Sequence, residues 1–323
     1  MTQGDAQMKH RVLQHGRLIP SVEQRLAQQF EVVPLWQQDD PLAFLRSQAS
    51  TFTAMATSAG KGVHGDLMCA APGLKAIASV GVGYDSLDLH TARRLGIQVS
   101  NTPDVLNDCV ADLAWGALLD IARGITESDR FMRRGDWMHG SFRLATRVSG
   151  KRLGVVGLGR IGAAIAARGA GFAMDIRYHN RRPVEGVKYK YMSDLAQLAQ
   201  WADFLVVAVA GGSATRHLVS ADVLQALGSS GYLVNVSRGS AVDEAALITA
   251  LQARTIAGAA LDVFEKEPCH PEQLTGLDNV VLLPHIGTAT HETRNAMGDL
   301  MIENLHEFFR TGRLATPISE TVC

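Results

Sequence analysis

The chain has 323 residues, more than one compact core usually holds, so two domains are expected. Hydrophobic residues make up 46% and charged residues 20%, the balance of a folded soluble protein. With 31 Lys and Arg against 32 Asp and Glu there is no basic field to hold a polyanion, which argues against nucleic acid as a partner. The opening MTQGDAQMKHRVLQHG has no apolar signal region and no later run approaches a membrane span, so an unexported chain with no membrane partner is expected. Cys69, Cys109, Cys269 and Cys323 are far apart and form no CxxC pair. No metal site is expected, and a reducing cytoplasm fits best.

In chain order, the first third alternates β-rich and helical runs: RVLQHG, SVEQRLAQQF, EVV, PLAFLRSQ, FTAMATS, GDLMCAAPG and LKAIASVG. That alternation predicts βαβ units and a parallel sheet. From Pro103 to about Arg134 breakers are scarce and Ala111, Trp115, Leu118, Leu119 and Ala122 recur at helical spacing, which predicts one long helix crossing between two domains. A second α/β series follows, from RLGVVGLG to NVVLLPHIG, and runs such as Phe204 to Val209 are apolar throughout, as in a parallel sheet covered on both faces. The run HETRNAMGDLMIENLHEFFRTG predicts a last helix that packs back on the first domain. The expected fold class is α/β, with two doubly wound parallel-sheet lobes.

GVVGLGRIG places Gly157, Gly159 and Gly162 between an apolar strand and a helix of small residues. These glycines suit a tight turn, close approach of a pyrophosphate to backbone N–H groups, and helix packing on the strand. The next strand, DIRYHN, should end in an acid if the ligand carries a free ribose 2′-OH. Asp175 opens that strand, at the wrong end; the far end carries Asn180, Arg181 and Arg182. This is either a solvated basic loop or a 2′-phosphate site, and the second reading means NADP.

NVSRGS, LDVFEKEP and LLPHIGTATHETR each follow a strand of the second series, bringing Arg238, Glu267 and His285 toward one cleft. An Arg can hold a carboxylate or polarise a keto oxygen, a His can protonate the developing alkoxide, and a Glu can orient that His. Singly, each could be structural: Arg238 a strand-end cap, Glu267 a solvated acid, His285 a satisfied buried ring. In SVGVGYDSLDL, Gly81 and Gly83 flank Val82, either as an anion-receptive loop or as an ordinary strand-to-helix turn.

Taken together, GVGYDSLDL, GVVGLGRIG, LVNVSRGSAVDEAAL, GAALDVFEKEP and LLPHIGTATHETR resemble the D-isomer-specific 2-hydroxyacid dehydrogenases, from about Ser58 to the last helix. VVAVAGGSATRHLV with HNRRP is similar to the glyoxylate and hydroxypyruvate reductase branch, which commonly uses NADPH. The resemblance implies a Rossmann-type NADP-binding domain, residues 104–291, inserted into a flavodoxin-like substrate domain, residues 1–103 and 292–323, and a homodimer formed through the cofactor domain. It implies that Arg238 binds the substrate and polarises its carbonyl, His285 is proton donor and acceptor, and Glu267 is paired with that histidine. It further implies a carboxylate cradle at Val82 and Gly83, a pyrophosphate turn at Arg160 and Ile161, Asp262 near the nicotinamide amide, and Val110 flanking the nicotinamide.

Two positions depart from that pattern: Ala210 stands where this branch often has proline, and Asn180 where NAD-preferring relatives have an acid. The expected activity is NADPH-dependent reduction of a small 2-keto acid, glyoxylate or hydroxypyruvate first, to a D-2-hydroxy acid. Hydroxyphenylpyruvate or 2-ketogluconate is the alternative substrate, with Trp137 and Met138 shaping the pocket, across a dimer interface. The rivals are a nucleotide-sensing corepressor or scaffold of the same fold, and a formate- or phosphite-type dehydrogenase.

Overall fold

The computed structural model describes residues 9–48 and 50–321, so what was expected of the first eight residues and of Cys323 lies outside it. The chain divides into two compact units, one running to Leu106 and resuming at Thr290, the other Asn107–Ala289.

The first unit contains β1 (Arg11–Gln14), β2 (Glu31–Pro34), β3 (Ala54–Ser58), β4 (Ala76–Val80) and β5 (Gln98–Ser100). They form one parallel sheet in the order β2-β1-β3-β4-β5, the flavodoxin-like winding. Residues Ala76 to Val80 are buried without alternation, because helices cover both faces of the sheet. The helix His291–Thr311 belongs to this unit and packs along β4 and the helix Pro20–Gln29. Contact is close at Gly298, where an added Cβ would lie 2.2 Å from Val22 Cγ2.

The second unit contains β6 (Arg152–Val156), β7 (Asp175–His179), β8 (Lys190–Tyr191), β9 (Phe204–Val207), β10 (Tyr232–Asn235), β11 (Gly258–Leu261) and β12 (Val280–Leu282). All pair in parallel, in the order β12-β11-β10-β9-β6-β7-β8. The winding reverses between β6 and β9, and the crevice beyond the carboxyl ends of the strands at such a reversal is where this architecture binds ligands. Phe204, Leu205, Val206 and Val207 are fully buried. Each such side chain contributes about 1.5–3 kcal/mol of hydrophobic stabilisation, so the sheet centre is a rigid base for the loops above it.

The long crossing helix expected from Pro103 to about Arg134 is not formed. A helix runs over Asn107–Arg123, Gly124 adopts a left-handed φ of +65°, and a second helix runs over Ile125–Arg133. Glycine takes that conformation without a Cβ clash, and Asp120 secures the break by accepting a hydrogen bond from Thr126 N at 2.8 Å. Before it, Asp104 has a φ of +70°, which precludes helix at that point. The first helix is held inside the second unit by Trp115, whose Nε1 donates to Ile165 O at 3.0 Å while its ring stacks on Phe172. Among the described residues no helix is long and apolar enough to cross a membrane, and no group of three or more His, Cys, Asp or Glu is placed to hold a metal ion.

Candidate active site

The glycine turn joins β6 to the helix Arg160–Gly169. Gly157 has a φ of +96°, and a Cβ there would sit 2.7 Å from Ala208 O; at Gly162 it would sit 2.0 Å from Gly157 O. Both must be glycine for the helix to start directly over the strand. Gly159, the residue capping that helix, has nothing within 4 Å of where a Cβ would be. There the backbone is open, with the N–H groups of the helix start behind it, a surface a pyrophosphate fits. Arg160 is exposed and Ile161 half-buried in the first turn.

β7 ends at His179, and Asn180 follows. Its Oδ1 accepts from Leu158 N at 2.7 Å and its backbone carbonyl accepts from Tyr191 Oη at 3.1 Å, so Asn180 fastens the glycine turn to the end of β7. Asp175 opens the strand, in agreement with the sequence. Arg181 and Arg182 are exposed in the loop beyond. Ala210 O accepts from Thr215 Oγ1 at 2.7 Å, so the loop after β9 is closed by a hydrogen bond.

The loops after β10, β11 and β12 make up the other side of the crevice. Asn235, buried at the end of β10, accepts from Ser237 N at 3.1 Å and Ser237 Oγ at 2.8 Å, and its Nδ2 donates to Arg238 O at 3.0 Å. Arg238 is thereby held at its backbone, with its Nη1 bonded to Ser237 O at 2.9 Å. Gly239 then passes against the turn after β11: a Cβ there would lie 1.8 Å from the carbonyl carbon of Phe264. The contact draws the two loops together.

Glu267 closes that turn by accepting from Phe264 N at 2.8 Å, and its other oxygen meets His285 Nδ1 at 2.5 Å. Burial pushes the Glu267 carboxyl up, but the hydrogen bonds from His285 and Phe264 N, with the charges of His285 and Arg238, hold it below the ordinary value. Glu267 is therefore an anion beside the imidazole.

His285 has a φ of +53°, unusual for a residue with a side chain. Asp262 imposes it: its carboxylate accepts from Ile286 N at 2.7 Å and Gly287 N at 2.8 Å, clamping the backbone just past the histidine. Burial holds the Asp262 carboxyl above the usual range although both backbone bonds act in the opposite sense. Val110 is buried on the helix Asn107–Arg123, and an added Cβ on Gly287 would lie 3.5 Å from it.

Arg238, Glu267, His285, Asp262 and Val110 thus belong to one neighbourhood of the second unit, and the glycine turn with Asn180 forms another on the same sheet. Val82 and Gly83 are half-buried in the first unit, after β4, where Asn101 Nδ2 donates to Val82 O at 2.9 Å and Gly81 N to Thr102 Oγ1 at 2.9 Å. Sequence reasoning missed Asn235, Ser237 and Gly239. The signal was available: a polar residue closing an apolar strand, and a glycine directly after the arginine.

Residues 115–287 match the family model described as D-isomer specific 2-hydroxyacid dehydrogenase, NAD binding domain. A glyoxylate/hydroxypyruvate reductase of Arabidopsis thaliana is 44% identical over 92% of this chain and 95% of its own length. The chain belongs to the D-isomer-specific 2-hydroxyacid dehydrogenases.

Among other members of the family, a hydroxyphenylpyruvate reductase of Plectranthus scutellarioides is 43% identical over 92% of this chain and 95% of its own. An NADPH-dependent glyoxylate/hydroxypyruvate reductase from Sinorhizobium meliloti, solved in complex with NADP and malonate, is 45% identical and superposes with a TM-score of 0.91, covering 97% of this chain and 98% of that one. As a dehydrogenase of this family the chain is an oxidoreductase, and the open glycine turn at Gly159 fits the dinucleotide the matched domain binds.

Proposed function

We propose that this dehydrogenase reduces glyoxylate and hydroxypyruvate to 2-hydroxy acids, D in the case of hydroxypyruvate, with NADPH preferred over NADH. The observation that carries the reading is the hydrogen-bonded pair His285–Glu267, lying within the field of Arg238 at the carboxyl edge of a dinucleotide-binding sheet. Relatives with reductase activities on these acids, one of them solved with NADP, support it.

A bound nicotinamide coenzyme supplies the hydride for the keto carbon. His285 gives a proton to the keto oxygen from Nε2, since Nδ1 faces Glu267, and the Glu267 carboxylate orients the ring and offsets its charge before the proton leaves. Arg238 presents parallel donors to the substrate carboxylate or keto oxygen, and Val82 with Gly83 form the carboxylate cradle. Gly157, Gly159, Arg160, Ile161 and Gly162 would hold the coenzyme's pyrophosphate, Asp262 and Val110 its nicotinamide end, and Asn180, Arg181 and Arg182 its adenosine ribose. No carboxylate stands at Asn180 to repel a 2′-phosphate, and the two arginines supply charge to receive it. In this assignment the second unit is the cofactor domain and the first the substrate domain.

The protein acts as a homodimer in the cytoplasm. Trp137, Met138 and Leu144 are 66%, 85% and 97% exposed, and Ile125 and Met132 lie in the same segment. Such a concentration of apolar surface on one stretch of chain calls for a covering partner, and a second copy supplies one.

The deciding experiment is a panel of keto acids, including hydroxyphenylpyruvate and 2-ketogluconate, assayed with NADPH and with NADH by loss of nicotinamide absorbance. Highest kcat/KM on glyoxylate or hydroxypyruvate with NADPH is expected. Preference for a larger acid would replace the substrate assignment, and absence of turnover on every acid would favour a binding protein.

A further inference from the structure

The turn that presents Glu267 has no regular secondary structure, yet its carboxylate must meet His285 within narrow limits, so something has to hold the turn. Part of the grip is backbone: Gly239 lies against Phe264 and Glu265, and Glu265 N donates to Glu244 Oε2 at 3.0 Å. The rest comes from a second histidine–glutamate pair. His217 Nε2 hydrogen-bonds Glu265 Oε1, two residues before Glu267.

His217 is itself tightly placed. Its backbone N–H donates to Ser240 O at 2.7 Å, in the loop that carries Arg238, and its φ of +50° lies where a residue with a side chain is seldom found. Its Nδ1 is 3.8 Å from Asp243 Oδ2, so the ring stands between two carboxylates, Asp243 before the helix Glu244–Gln252 and Glu265 in the turn, with Glu244 on the Glu265 backbone. Upstream, Thr215 Oγ1 closes the loop after β9 onto Ala210 O. One imidazole therefore joins the loops that follow β9, β10 and β11.

We infer that His217 is a positioning residue for the reaction: by gripping Glu265 it sets the turn that offers Glu267 to His285. It acts through that turn and not on the reacting atoms, and the inference rests on Glu267 and His285 being the proton relay. An outlying backbone conformation kept at the meeting of three loops is a feature of functional sites, and displacement of about 1 Å at a reacting pair can lower a rate by about 10²-fold.

The test compares His217→Leu, which removes the donor to Glu265, with His217→Gln, which keeps an N–H, in the full-length protein assayed on glyoxylate with NADPH. His217→Leu should lower kcat about 10-fold or more, by the same displacement argument, with little change in the KM for NADPH. It should also move the acid limb of kcat/KM to higher pH, because a misplaced Glu267 loses the His285 hydrogen bond that helps hold its carboxyl below the ordinary value. His217→Gln should restore most of both. Glu265→Ala, which removes the acceptor, should reproduce the effect, and the double variant with His217→Leu should be no worse than either single one, since both break the same link. A His217→Leu variant with the pH limb unmoved, whether or not it is less stable or slower, would overturn the inference. His285→Ala separates this from the relay itself: if that variant retains turnover, the relay reading falls and the inference with it, whereas an inactive His285→Ala beside a fully active His217→Leu overturns the role of His217 alone.

Discussion

Two regions on the same sheet edge are built by opposite means. Around β10, β11 and β12 every proposed catalytic group is held by a neighbour: Arg238 by Asn235 and Ser237, Glu267 by Phe264 N, His285 by Glu267, and the backbone past His285 by Asp262. Around β6 and β7 the turn is defined by what is missing, an absent Cβ at Gly157, Gly159 and Gly162, and the charges at Arg181 and Arg182 stand exposed. The first region is preorganised for a reacting group whose position must not vary. The second is a surface shaped for a phosphate that brings its own charge and hydrogen-bond acceptors. Changes in the first should therefore appear in rate, and changes in the second in coenzyme affinity.

The strongest test of that division is His285→Ala, expected to lower keto-acid turnover by about 10²–10⁴-fold, the range for a positioned acid, while NADPH binding measured by fluorescence titration stays close to the parent. A comparable affinity loss would erase the distinction. Next comes Gly239→Ala. The new methyl would overlap the Phe264 backbone, with 1.8 Å to its carbonyl carbon, so the two loops must part. Turnover should fall by about 10²-fold, as for a displacement near 1 Å, and parental kcat would mean that the close approach of these loops has no bearing on catalysis.

On the other side, replacing Arg181 and Arg182 together by alanine should weaken NADPH binding about 10- to 150-fold for each well-formed charge-assisted hydrogen bond removed and leave NADH nearly unchanged. Added salt should erode the parental preference for NADPH in the same direction. Equal losses for both coenzymes would show that these arginines support the loop and not the phosphate.

The smallest effect is a pH dependence of stability with opposite signs at the two acids Glu267 and Asp262. Glu267 is held below its ordinary value of 4.5, so its contribution to stability is present above that pH and is lost as pH falls through the lower folded value. Asp262 is held above its ordinary 3.8, so its contribution is present below that pH and declines as pH rises through the higher folded value. Melting temperatures of Glu267→Gln and the parent should accordingly converge on acidification below about pH 4.5. A gap that stays constant down to pH 3 would show that the pair adds no pH-dependent stability.

Much of the β10 to β12 region is legible in the amino-acid sequence because Arg238, Glu267 and His285 each lie in the loop that follows an apolar strand, and parallel winding sends all such loops to one edge. The glycine turn is legible for a related reason, since its three glycines fall between a recognisable strand and helix. Some supporting groups are legible too: Asn235 and Ser237 act within three residues of Arg238, at the polar close of an apolar strand. His217 and Glu265 are not, because they meet between loops 48 residues apart and nothing in local spacing reveals it. The break at Gly124 is hidden because a single glycine within apolar helical spacing is tolerated in many helices; only Asp120 and Thr126, meeting across the break, show that this one ends the helix.

The split of the first unit has a consequence for how the chain is made. Ile318 N bonds Val99 O at 2.7 Å, Thr316 Oγ1 bonds Asn101 O at 2.6 Å, and Gln98 Nε2 bonds Gly312 O at 2.8 Å, so residues 312–318 seal the β5 edge while the helix His291–Thr311 covers β4. A ribosome delivers these pieces only after the whole of the second unit. The second unit, continuous in sequence, can fold while synthesis continues, but the earlier strands must wait through its entire translation with a bare apolar face and an unpaired edge. The protein is thus most exposed to aggregation and to chaperone capture before the segment from Thr290 to Ile318 emerges, a vulnerability set by chain order and not by the stability of the finished fold.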